Sequence, residues 1–281
     1  MPKRLFLMAG YDKDSIIDSA LVYYINTLSR YGDVVLCMDN KFNGRQIRKL
    51  KIHPLSVFIT RHREYDFGSY KRAFQFAVKN DILKNYDYLY LVNDSVFGPT
   101  TNLKKTLQNI EALPSDAASI IISKHQTHSF MESWFVRLNK NIFMSEWFSD
   151  FINSVTKQPT KEDVTIKYEH GLSQLITQNK CTWSGLYTVY GRETYNHPKQ
   201  LFKRGCPFIK KVSFTRHNGA LGNQIKYILN HCDQNAKDTI TKTSNRLYGK
   251  KYMKWFLTSN PFKILYRNLT YGITKLKNGN I

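Results

Sequence analysis

The chain has 281 residues, which suffices for one large domain or two small ones with a substantial buried core. Its hydrophobic content of 42% excludes a disordered chain, and apolar runs that all fall short of about 18 residues exclude a bilayer-spanning helix. The formal net charge of +21 predicts an anionic partner, which would be a nucleic acid, a phospholipid surface or a phosphorylated substrate.

Sequence motifs exclude several classes of site. There is no glycine-rich dinucleotide or P-loop pattern, and there is no paired-histidine metal motif. The four cysteines lack CxxC spacing, which predicts reduced, structural thiols in a cytoplasmic protein.

The first half of the chain alternates strand and helix patterns. Apolar runs predict strands at residues 5–8, 34–38, 57–60, 88–92 and 118–123. Helical spacing predicts a helix that ends near Leu28 and is capped by Asp12 or Asp14, and further helices at 67–80 and 103–110. This alternation predicts an α/β fold in which helices cover both faces of a mostly parallel sheet.

The second half of the chain changes character. Helices are predicted at 145–155, within 161–178 and at 218–231, a strand at 187–190, and a loop-rich segment at 196–211. Because no internal repeat or low-complexity linker is present, we expect one domain over residues 1–238 and a basic, aromatic-rich tail over residues 239–281.

That tail combines cations with apolar side chains. No acidic residue follows Asp238, whereas nine basic residues do, and they alternate with residues such as Trp255, Phe256 and Tyr266. The pattern predicts an amphipathic helix on an anionic membrane surface. A helical hairpin that packs on the domain and exposes a solvated basic face is the alternative.

A polar triplet, Asn93-Asp94-Ser95, ends the strand predicted at 88–92. In open α/β sheets ligands bind beyond the carboxyl ends of the strands, so this position favours a ligand contact for Asp94. A sugar diphosphate needs its phosphates neutralised, either by basic side chains or by a divalent cation on a carboxylate. Asp94 is the candidate carboxylate; an aspartate that caps the turn before Gly98-Pro99 is the alternative.

Charge is also concentrated at the start of the helix predicted at 67–80. Arg63, Asp66, Gly68 and Lys71 lie there, where exposed N–H groups and the helix dipole favour anions. We expect Asp66 to cap the helix, and Lys71 either to neutralise a phosphate or to be solvated.

Five blocks of the chain carry a family resemblance. They are Arg63-Glu-Tyr-Asp-Phe-Gly-Ser-Tyr-Lys71, Leu91-Val-Asn-Asp-Ser-Val-Phe-Gly-Pro99, Glu132-Ser-Trp-Phe135, Tyr168-Glu-His-Gly-Leu-Ser-Gln174 and Pro207-Phe-Ile-Lys-Lys211. In this order they resemble the rhamnan synthesis protein F family, glycosyltransferases of bacterial surface-polysaccharide assembly. Glu132 stands where the family usually has glutamine, so a sugar-hydroxyl contact there would differ.

The resemblance implies a GT-A-like, Rossmann-type fold that uses a dTDP- or UDP-linked nucleotide-sugar donor. The ends of the first two strands would face the base and ribose through Ala9, Gly10, Tyr11 and Asp39. GT-A enzymes carry Asp-x-Asp where this chain has Asn93-Asp94-Ser95, so Asn93 and Asp94 would lie at the donor. Asp94 would be the ligand of a Mg²⁺ or Mn²⁺ ion, although the missing second acid leaves metal dependence open.

The resemblance also indicates a catalytic base. GT-A enzymes carry it at the start of a helix in the second half, where this chain has Glu169, and an inverting transferase needs a carboxylate to accept the proton of the attacking hydroxyl. A glutamate that complements the helix dipole is the alternative. Lys210 and Lys211, with Arg216 and His217, would bind a diphosphate or form a solvated basic loop.

The expected function is the transfer of rhamnose, galactose or a similar sugar to a lipid-linked glycan of O-antigen or capsule. The protein would lie on the inner face of the cell membrane, beside other polysaccharide-assembly enzymes. Two alternatives stay open. The net charge favours a nucleic-acid-binding protein, but the aromatic residues fall at strand and helix positions rather than in a stacking sheet. The single acid in Asn93-Asp94-Ser95 favours a non-catalytic scaffold.

Overall fold

The computed structural model describes residues 2–41, 44–50, 55–126, 128–216 and 220–277, with side chains through residue 270. The strands of this described part are β1 (Arg4–Gly10), β2 (Asp33–Met38), β3 (Ser56–Ile59), β4 (Tyr88–Asn93), β5 (Val96–Phe97), β6 (Ala117–Lys124), β7 (Ser129–Met131), β8 (Phe135–Asn139), β9 (Trp183–Tyr190) and β10 (Ile209–Lys210).

The helices are α1 (Ser19–Leu28), α2 (Gly44–Ile47), α3 (Tyr65–Lys79), α4 (Leu103–Glu111), α5 (Lys140–Phe143), α6 (Glu146–Asn153), α7 (Lys161–Val164), α8 (Gly171–Gln178), α9 (Glu193–Asn196), α10 (Pro198–Lys203), α11 (Leu221–His231), α12 (Gln234–Tyr248), α13 (Lys250–Phe256) and α14 (Pro261–Lys277). A π-helical turn, Thr165–His170, separates α7 from α8. Within the residues described, no helix combines the length and the apolar character needed to span a membrane.

One large sheet organises the first part of the chain. Its strand order is β3-β2-β1-β4-β8-β6-β7, and β9 pairs with β6. The strands β3, β2, β1 and β4 are parallel, whereas β8 runs antiparallel to both β4 and β6. The connections within the parallel half run through α1, α2 and α3. The predicted α/β fold, with a mostly parallel sheet and flanking helices, is therefore confirmed.

The parallel strands are covered on both faces. Every residue of β1 is buried, and so are residues 34–38 of β2. An unbroken apolar run is the pattern of a strand that packs against helices on each side. The helix α3 contributes Phe67, Tyr70 and Phe74 to this core.

The register of the parallel strands determines where they end. Gly10 lies opposite Met38, and Ala9 lies opposite Asn93. Because the carboxyl ends of parallel strands meet at one edge of the sheet, the residues that follow β1, β2 and β4 come together there. This sheet edge carries most of the predicted site residues.

The start of α1 differs from the prediction. Its cap is Asp18, whose carboxylate accepts the N–H of Leu21 at 2.9 Å. Asp12 instead accepts the N–H groups of Asp14 and Ile16, at 3.0 and 3.1 Å, and so closes a loop before the helix. The prediction of a cap at Asp12 or Asp14 was wrong because such local side-chain bonds compete with helix formation.

The second half of the chain contains more regular structure than the sequence predicted. The strands β7 and β8 lie within residues 129–139, and the segment 196–211, predicted to be loop-rich, contains α10. Pro198 suggested a loop, but it is the first residue of α10, where its missing N–H costs no hydrogen bond. His217 and the predicted start of a helix at residue 218 lie outside the described residues.

The chain divides into two compact units. The first comprises Met1–Ser95 and Leu103–Gly191, and the second comprises Val96–Asn102 and Arg192–Ile281. The second unit contains the β5–β10 pair and the helices α9 to α14. This division differs from the boundary predicted after residue 238, because α12 runs through that position without interruption.

The cysteines agree with the prediction of reduced, structural thiols. All four are free, and Cys37 and Cys206 are buried. Burial raises the pKa of Cys37 to about 11, which keeps its thiol protonated and unreactive at neutral pH.

A buried ion pair joins β1 to the end of α4. The guanidinium of Arg4 donates to both carboxylate oxygens of Glu111, at 2.5 and 2.7 Å, and the hydroxyl of Tyr90 donates to the same carboxylate at 2.5 Å. Removing one partner of a buried pair leaves a charge without compensation. We expect Glu111→Ala to lower the free energy of unfolding by about 3 kcal/mol in a urea titration followed by circular dichroism.

The exposed Glu162 of α7 provides the control for that measurement. Glu162→Ala should change the free energy of unfolding by no more than about 0.5 kcal/mol. A Glu111→Ala protein as stable as this control would show that the buried pair does not stabilise the fold.

Candidate active site

Hydrogen bonds join the ends of β1 and β4. The N–H of Asp94 donates to the carbonyl of Ala9 at 3.1 Å, and the N–H of Tyr11 donates to Oδ1 of Asp94 at 3.3 Å. The structure therefore brings Asp94 together with Ala9, Gly10 and Tyr11, which were selected from a different part of the sequence.

Gly10 leaves room for the side chain of Met38 in the neighbouring strand. A Cβ atom at this position would lie 2.3 Å from Sδ of Met38, which is buried in β2. The same atom would lie 3.8 Å from Cγ of Asp94, so the glycine also leaves space beside that carboxylate. The close approach of a nucleotide to Gly10 stays a prediction.

Asp39 follows β2 and forms hydrogen bonds with the loop that follows β3. It is 6% exposed, and its carboxylate accepts the N–H of Arg63 with both oxygens, at 3.1 and 3.2 Å. Its Oδ1 also pairs with the guanidinium of Arg61 at 3.4 Å. The Arg61 guanidinium lies over the ring of Tyr11, 5.0 Å from its centroid. Asp39, Arg63 and Tyr11 thus form one cluster, which Arg61 completes.

The loop that carries Arg63 is strained. Arg63 has a φ of 59° and Tyr65 a φ of 56°, both in the left-handed region that residues other than glycine seldom adopt. The N–H of Arg63 donates to both carboxylate oxygens of Asp39, and these contacts hold its backbone in this conformation. Strained residues of this kind cluster at ligand sites, so the loop geometry favours a binding role.

His62 is enclosed by the same loop. Its Nδ1 accepts the N–H of Glu64 at 3.1 Å, and its Nε2 lies 2.9 Å from Oγ of Ser69. Burial lowers the pKa of His62 to about 4, so the imidazole is neutral at pH 7. A Cβ atom on Gly68 would lie 2.3 Å from Cβ of Glu64 and 2.7 Å from Nδ1 of His62. Gly68 therefore makes room for this enclosure.

Asp66 and Lys71 have partners within the protein. The side-chain amide of Asn93 donates to Oδ2 of Asp66 at 2.9 Å, and the Lys71 ammonium donates to the carbonyl of Val155 at 2.9 Å. Glu64, not Asp66, is the residue that precedes α3, and it makes no capping bond with its side chain. The expectation that Asp66 caps the helix was wrong because its carboxylate turns to Asn93. A phosphate contact for Lys71 stays a prediction.

Glu169 lies in the π-helical turn before α8 and is half-buried. Its Oε1 accepts the N–H of Ser133 at 2.5 Å, and the carbonyl of Ser133 accepts the hydroxyl of Tyr70 at 2.9 Å. Glu169 was predicted to lie at the start of a helix, but α8 begins only at Gly171. π-Helical turns are frequent at functional sites, because they displace one residue from the regular helix surface.

Ser133 links Glu169 to the sheet edge that carries Asp94. The residue after Ser133 is Trp134, whose carbonyl accepts the N–H of Asn93 at 3.2 Å. Asn93 in turn precedes Asp94. The two predicted catalytic carboxylates are therefore connected through one short stretch of hydrogen-bonded backbone.

Two buried tyrosines respond to the negative charge of this edge. Burial, and next the carboxylate of Asp66, raises the pKa of Tyr70, and Glu169 has a smaller effect in the same direction. Burial, and next Asp94, raises the pKa of Tyr24. Both hydroxyls are therefore protonated at neutral pH. Asp66 and Glu169 thus act on the same tyrosine, and Asp94 acts on the other.

Glu132 has a structural partner on each carboxylate oxygen. Its Oε2 accepts the indole N–H of Trp134 at 2.6 Å, and its Oε1 accepts the hydroxyl of Ser123 at 3.4 Å. The residue is 4% exposed. These contacts fix the ring of Trp134 at the entry to β8.

The donor set around Asp94 does not fit a divalent cation held by the protein. Among the residues that the structure describes, no group of three or more histidine, cysteine, aspartate and glutamate side chains could hold a metal ion. Oδ1 of Asp94 accepts the N–H of Tyr11, and Ser95 stands where a second acid would be. The guanidinium of Arg61 brings positive charge to this edge.

Lys210 and Lys211 belong to the second compact unit. Lys210 lies opposite Val96 in the β5–β10 pair, and its ammonium is 5.9 Å from the ring centroid of Tyr195. The Lys211 ammonium is 5.5 Å from the ring centroid of Phe97. Each cation thus lies over an aromatic ring of its own unit. Their contact with a diphosphate stays a prediction.

Three residues at this edge were not identified from the sequence, namely Arg61, His62 and Tyr70. The first two lie two and three residues after β3, so their position after a parallel strand could have indicated them. Tyr70 shares the helical spacing of Phe67 and Phe74, which marks a core residue. Its bond to the Ser133 carbonyl depends on the tertiary fold and has no signal in the sequence.

The sequence profile of the rhamnan synthesis protein F family matches residues 34–268. The chain therefore belongs to this family, and the predicted resemblance is confirmed. Membership supports a glycosyltransferase-type function in polysaccharide biosynthesis. A comparison with curated proteins found no match.

Two solved structures are similar to this chain. One is a candidate nucleotide-diphospho-sugar transferase from Desulfovibrio desulfuricans, with 14% identity, a TM-score of 0.42, and coverage of 89% of this chain and 97% of the other. The second is a nucleoside-diphosphate-sugar pyrophosphorylase from Vibrio cholerae, with 11% identity, a TM-score of 0.41, and coverage of 68% and 93%. Neither likeness is strong enough to assign an activity.

The low pKa of His62 has a consequence for stability. The unfolded chain protonates this residue near pH 6.5, whereas the folded protein does so only near pH 4. Between these values the unfolded state binds more protons, so the free energy of unfolding falls as the pH decreases from about 6.5 to about 4. We expect His62→Gln to make this decline shallower in urea titrations across that window.

The exposed His231 of α11 is the control for this prediction. His231→Gln should leave the slope of stability against pH as it is in the original protein. If His62→Gln and the original protein gave parallel slopes, the neutral, buried state of His62 would be wrong.

Proposed function

We propose that this protein transfers a sugar from a nucleotide-sugar donor to a glycan acceptor of the cell envelope. The observation that carries this proposal is the hydrogen-bonded backbone that connects Asp94 to Glu169 at the carboxyl edge of the parallel strands. Ligands of open α/β sheets bind at this edge. Membership of the rhamnan synthesis protein F family supports the same class of reaction.

The donor would bind at the ends of β1 and β2 in a GT-A-like manner. Tyr11 is 47% exposed, and the ring face away from Arg61 would be available to a planar base or a sugar face. Asp39 would accept hydrogen bonds from the ribose. Arg61 and Arg63 bring positive charge to the phosphates of a dTDP- or UDP-linked donor, which compensates the charge that leaves with the nucleotide.

Glu169 would be the catalytic base. Its carboxylate would accept the proton of an acceptor hydroxyl while the hydroxyl oxygen attacks the anomeric carbon. The bond from that carbon to the diphosphate oxygen breaks, and its electron pair leaves with the nucleotide, which inverts the anomeric configuration. The N–H of Ser133 and the hydroxyl of Tyr70 fix the orientation of this carboxylate, so they are positioning groups.

The acceptor belongs to the same proposal. The rhamnose, galactose or similar sugar would pass from the nucleotide donor to a growing lipid-linked glycan of O-antigen or capsule at the inner face of the cell membrane. The net charge of +21 agrees with an anionic bilayer there. Other polysaccharide-assembly enzymes would act beside this protein on the same lipid-linked chain.

Asp94→Asn tests the assignment of the donor site. The amide keeps an oxygen that can accept the N–H of Tyr11, so the fold should persist, but the negative charge is lost. We expect nucleotide release from the productive sugar donor to fall by about 100-fold. Nucleotide release is measured with a panel of dTDP- and UDP-sugars and a lipid-linked acceptor. Repeating this assay with EDTA tests whether a cation enters with the donor.

Asp150→Asn, at an exposed position of α6, is the matched control and should leave nucleotide release unchanged. Full activity in a folded Asp94→Asn protein would remove Asp94 from the site. If the original protein bound donors but released nucleotide with none of them, the scaffold alternative would replace the transferase.

Glu169→Gln tests the catalytic base. Glutamine keeps the oxygen that accepts the N–H of Ser133 but cannot accept a proton at neutral pH. Turnover should therefore fall by about 100- to 10,000-fold, while donor affinity measured by calorimetry stays unchanged. Glu162→Gln, on the exposed side of α7, should behave as the original protein does. Lost donor affinity at unchanged turnover would instead make Glu169 a donor-binding residue.

A further inference from the structure

Helix α14 presents an apolar stripe to solvent. Phe262, Leu265, Tyr266 and Leu269 follow the i, i+3, i+4, i+7 spacing of one helix face, and they are 80%, 57%, 64% and 58% exposed, respectively. A helix of a soluble domain usually turns such a face to the core. An apolar patch that remains exposed marks an interaction surface.

A different side of the same helix is fixed to the second unit. Arg267 is 4% exposed, and its guanidinium donates to the carbonyl of Phe256 at 2.5 Å and to Oδ1 of Asn223 at 3.3 Å. A Cβ atom on Gly222 would lie 2.6 Å from Nη1 of Arg267, so α11 approaches the guanidinium as closely as its backbone allows. The helix is therefore held through Arg267, and the apolar stripe is not the side that packs.

Exposed lysines lie on α14 itself and on the preceding helix α13. Lys263 in α14 and Lys250, Lys251 and Lys254 in α13 are exposed. No acidic residue follows Asp238 in the sequence. An occupant of this surface must therefore offer both an apolar phase and negative charge.

These two requirements select the occupant. A second copy of this chain would bring the same lysines against one another, which is repulsive. A nucleic acid offers negative charge but no apolar phase for Phe262 and Leu269. An anionic lipid bilayer offers both, because acyl chains accept the apolar residues and headgroup phosphates meet the lysines.

We propose that the apolar stripe of α14, with the exposed lysines of α13 and α14, docks this protein on an anionic lipid bilayer. The aliphatic and phenyl side chains enter the boundary between headgroups and acyl chains, and the hydroxyl of Tyr266 stays at headgroup depth. The biological purpose of this docking rests on the proposed function, because a lipid-linked acceptor is held in such a bilayer. The docking itself depends only on the surface of α13 and α14.

The apolar contribution is tested with full-length protein and vesicles of phosphatidylglycerol and phosphatidylcholine. We expect the original protein to sediment with these vesicles, and the triple variant Phe262→Ser, Leu265→Ser, Leu269→Ser to lose at least about tenfold in partition coefficient. The control replaces Val78, Met144 and Ile166, three exposed apolar residues of the first unit, with serine and should bind vesicles as the original protein does. Because all of these side chains are exposed, circular dichroism should show folded proteins throughout.

The electrostatic contribution is tested with the triple variant Lys251→Gln, Lys254→Gln, Lys263→Gln. Each neutralised lysine should lower the partition coefficient by about fivefold on vesicles rich in phosphatidylglycerol and have no effect on pure phosphatidylcholine. The matched control neutralises the exposed Lys105, Lys157 and Lys161 of the first unit, which leaves the net charge equal to that of the test variant. It should keep the affinity of the original protein.

Three results would overturn the docking proposal. The original protein could fail to bind anionic vesicles, the apolar triple variant could bind them unchanged, or light scattering could show a dimer that this variant dissociates. Transfer to a soluble acceptor without vesicles reports on the proposed function separately, and the apolar triple variant should retain it. Vesicle binding without any transferase activity would support the docking surface and contradict the proposed enzymatic function.

Discussion

The geometry of the candidate site depends on two hydrogen bonds that Asn93 donates, one from its backbone and one from its side chain. Asn93 is the last residue of β4 and is 2% exposed. Its N–H bonds to the carbonyl of Trp134, and its side-chain amide bonds to Asp66. The loss of either bond would leave a buried polar group without its partner, at a cost of about 1–3 kcal/mol. Through these contacts β4, α3 and the entry to β8 hold Asp94 and Glu169 at one edge.

The same contact gives a physical reason for the departure from the Asp-x-Asp pattern. An aspartate at position 93 would put a second carboxylate within hydrogen-bond distance of Asp66, where two negative charges repel. An amide has the donor that Asp66 needs. Asn93 and Asp66 are thus matched to each other by a donor and an acceptor.

The parallel half of the sheet was predictable because each of its strands is a short apolar run that ends at polar residues. Asp94 followed from the same signal, since residues after parallel strands share one edge, whereas Asp39 was expected from the family resemblance. The surroundings of Glu169 were not predictable, because its bond to Ser133 joins segments whose contact depends on the fold and not on spacing. The strands β7 and β8 were missed for the same reason. They are short, and their partners β6 and β4 determine where they begin and end.

The segment Val96–Asn102 leaves the first unit immediately after Ser95 and is part of the second. Its strand β5 pairs with β10, where Val96 lies opposite Lys210, and the N–H of Thr100 donates to the carbonyl of Pro207 at 2.7 Å. On the ribosome, β5 emerges long before β10 exists. The last residue of the first unit, Gly191, is therefore synthesised before the hydrogen-bonding partner of this segment exists. A nascent chain stalled before residue 207 would therefore carry Val96 and Phe97 without the strand that pairs with them in the folded protein.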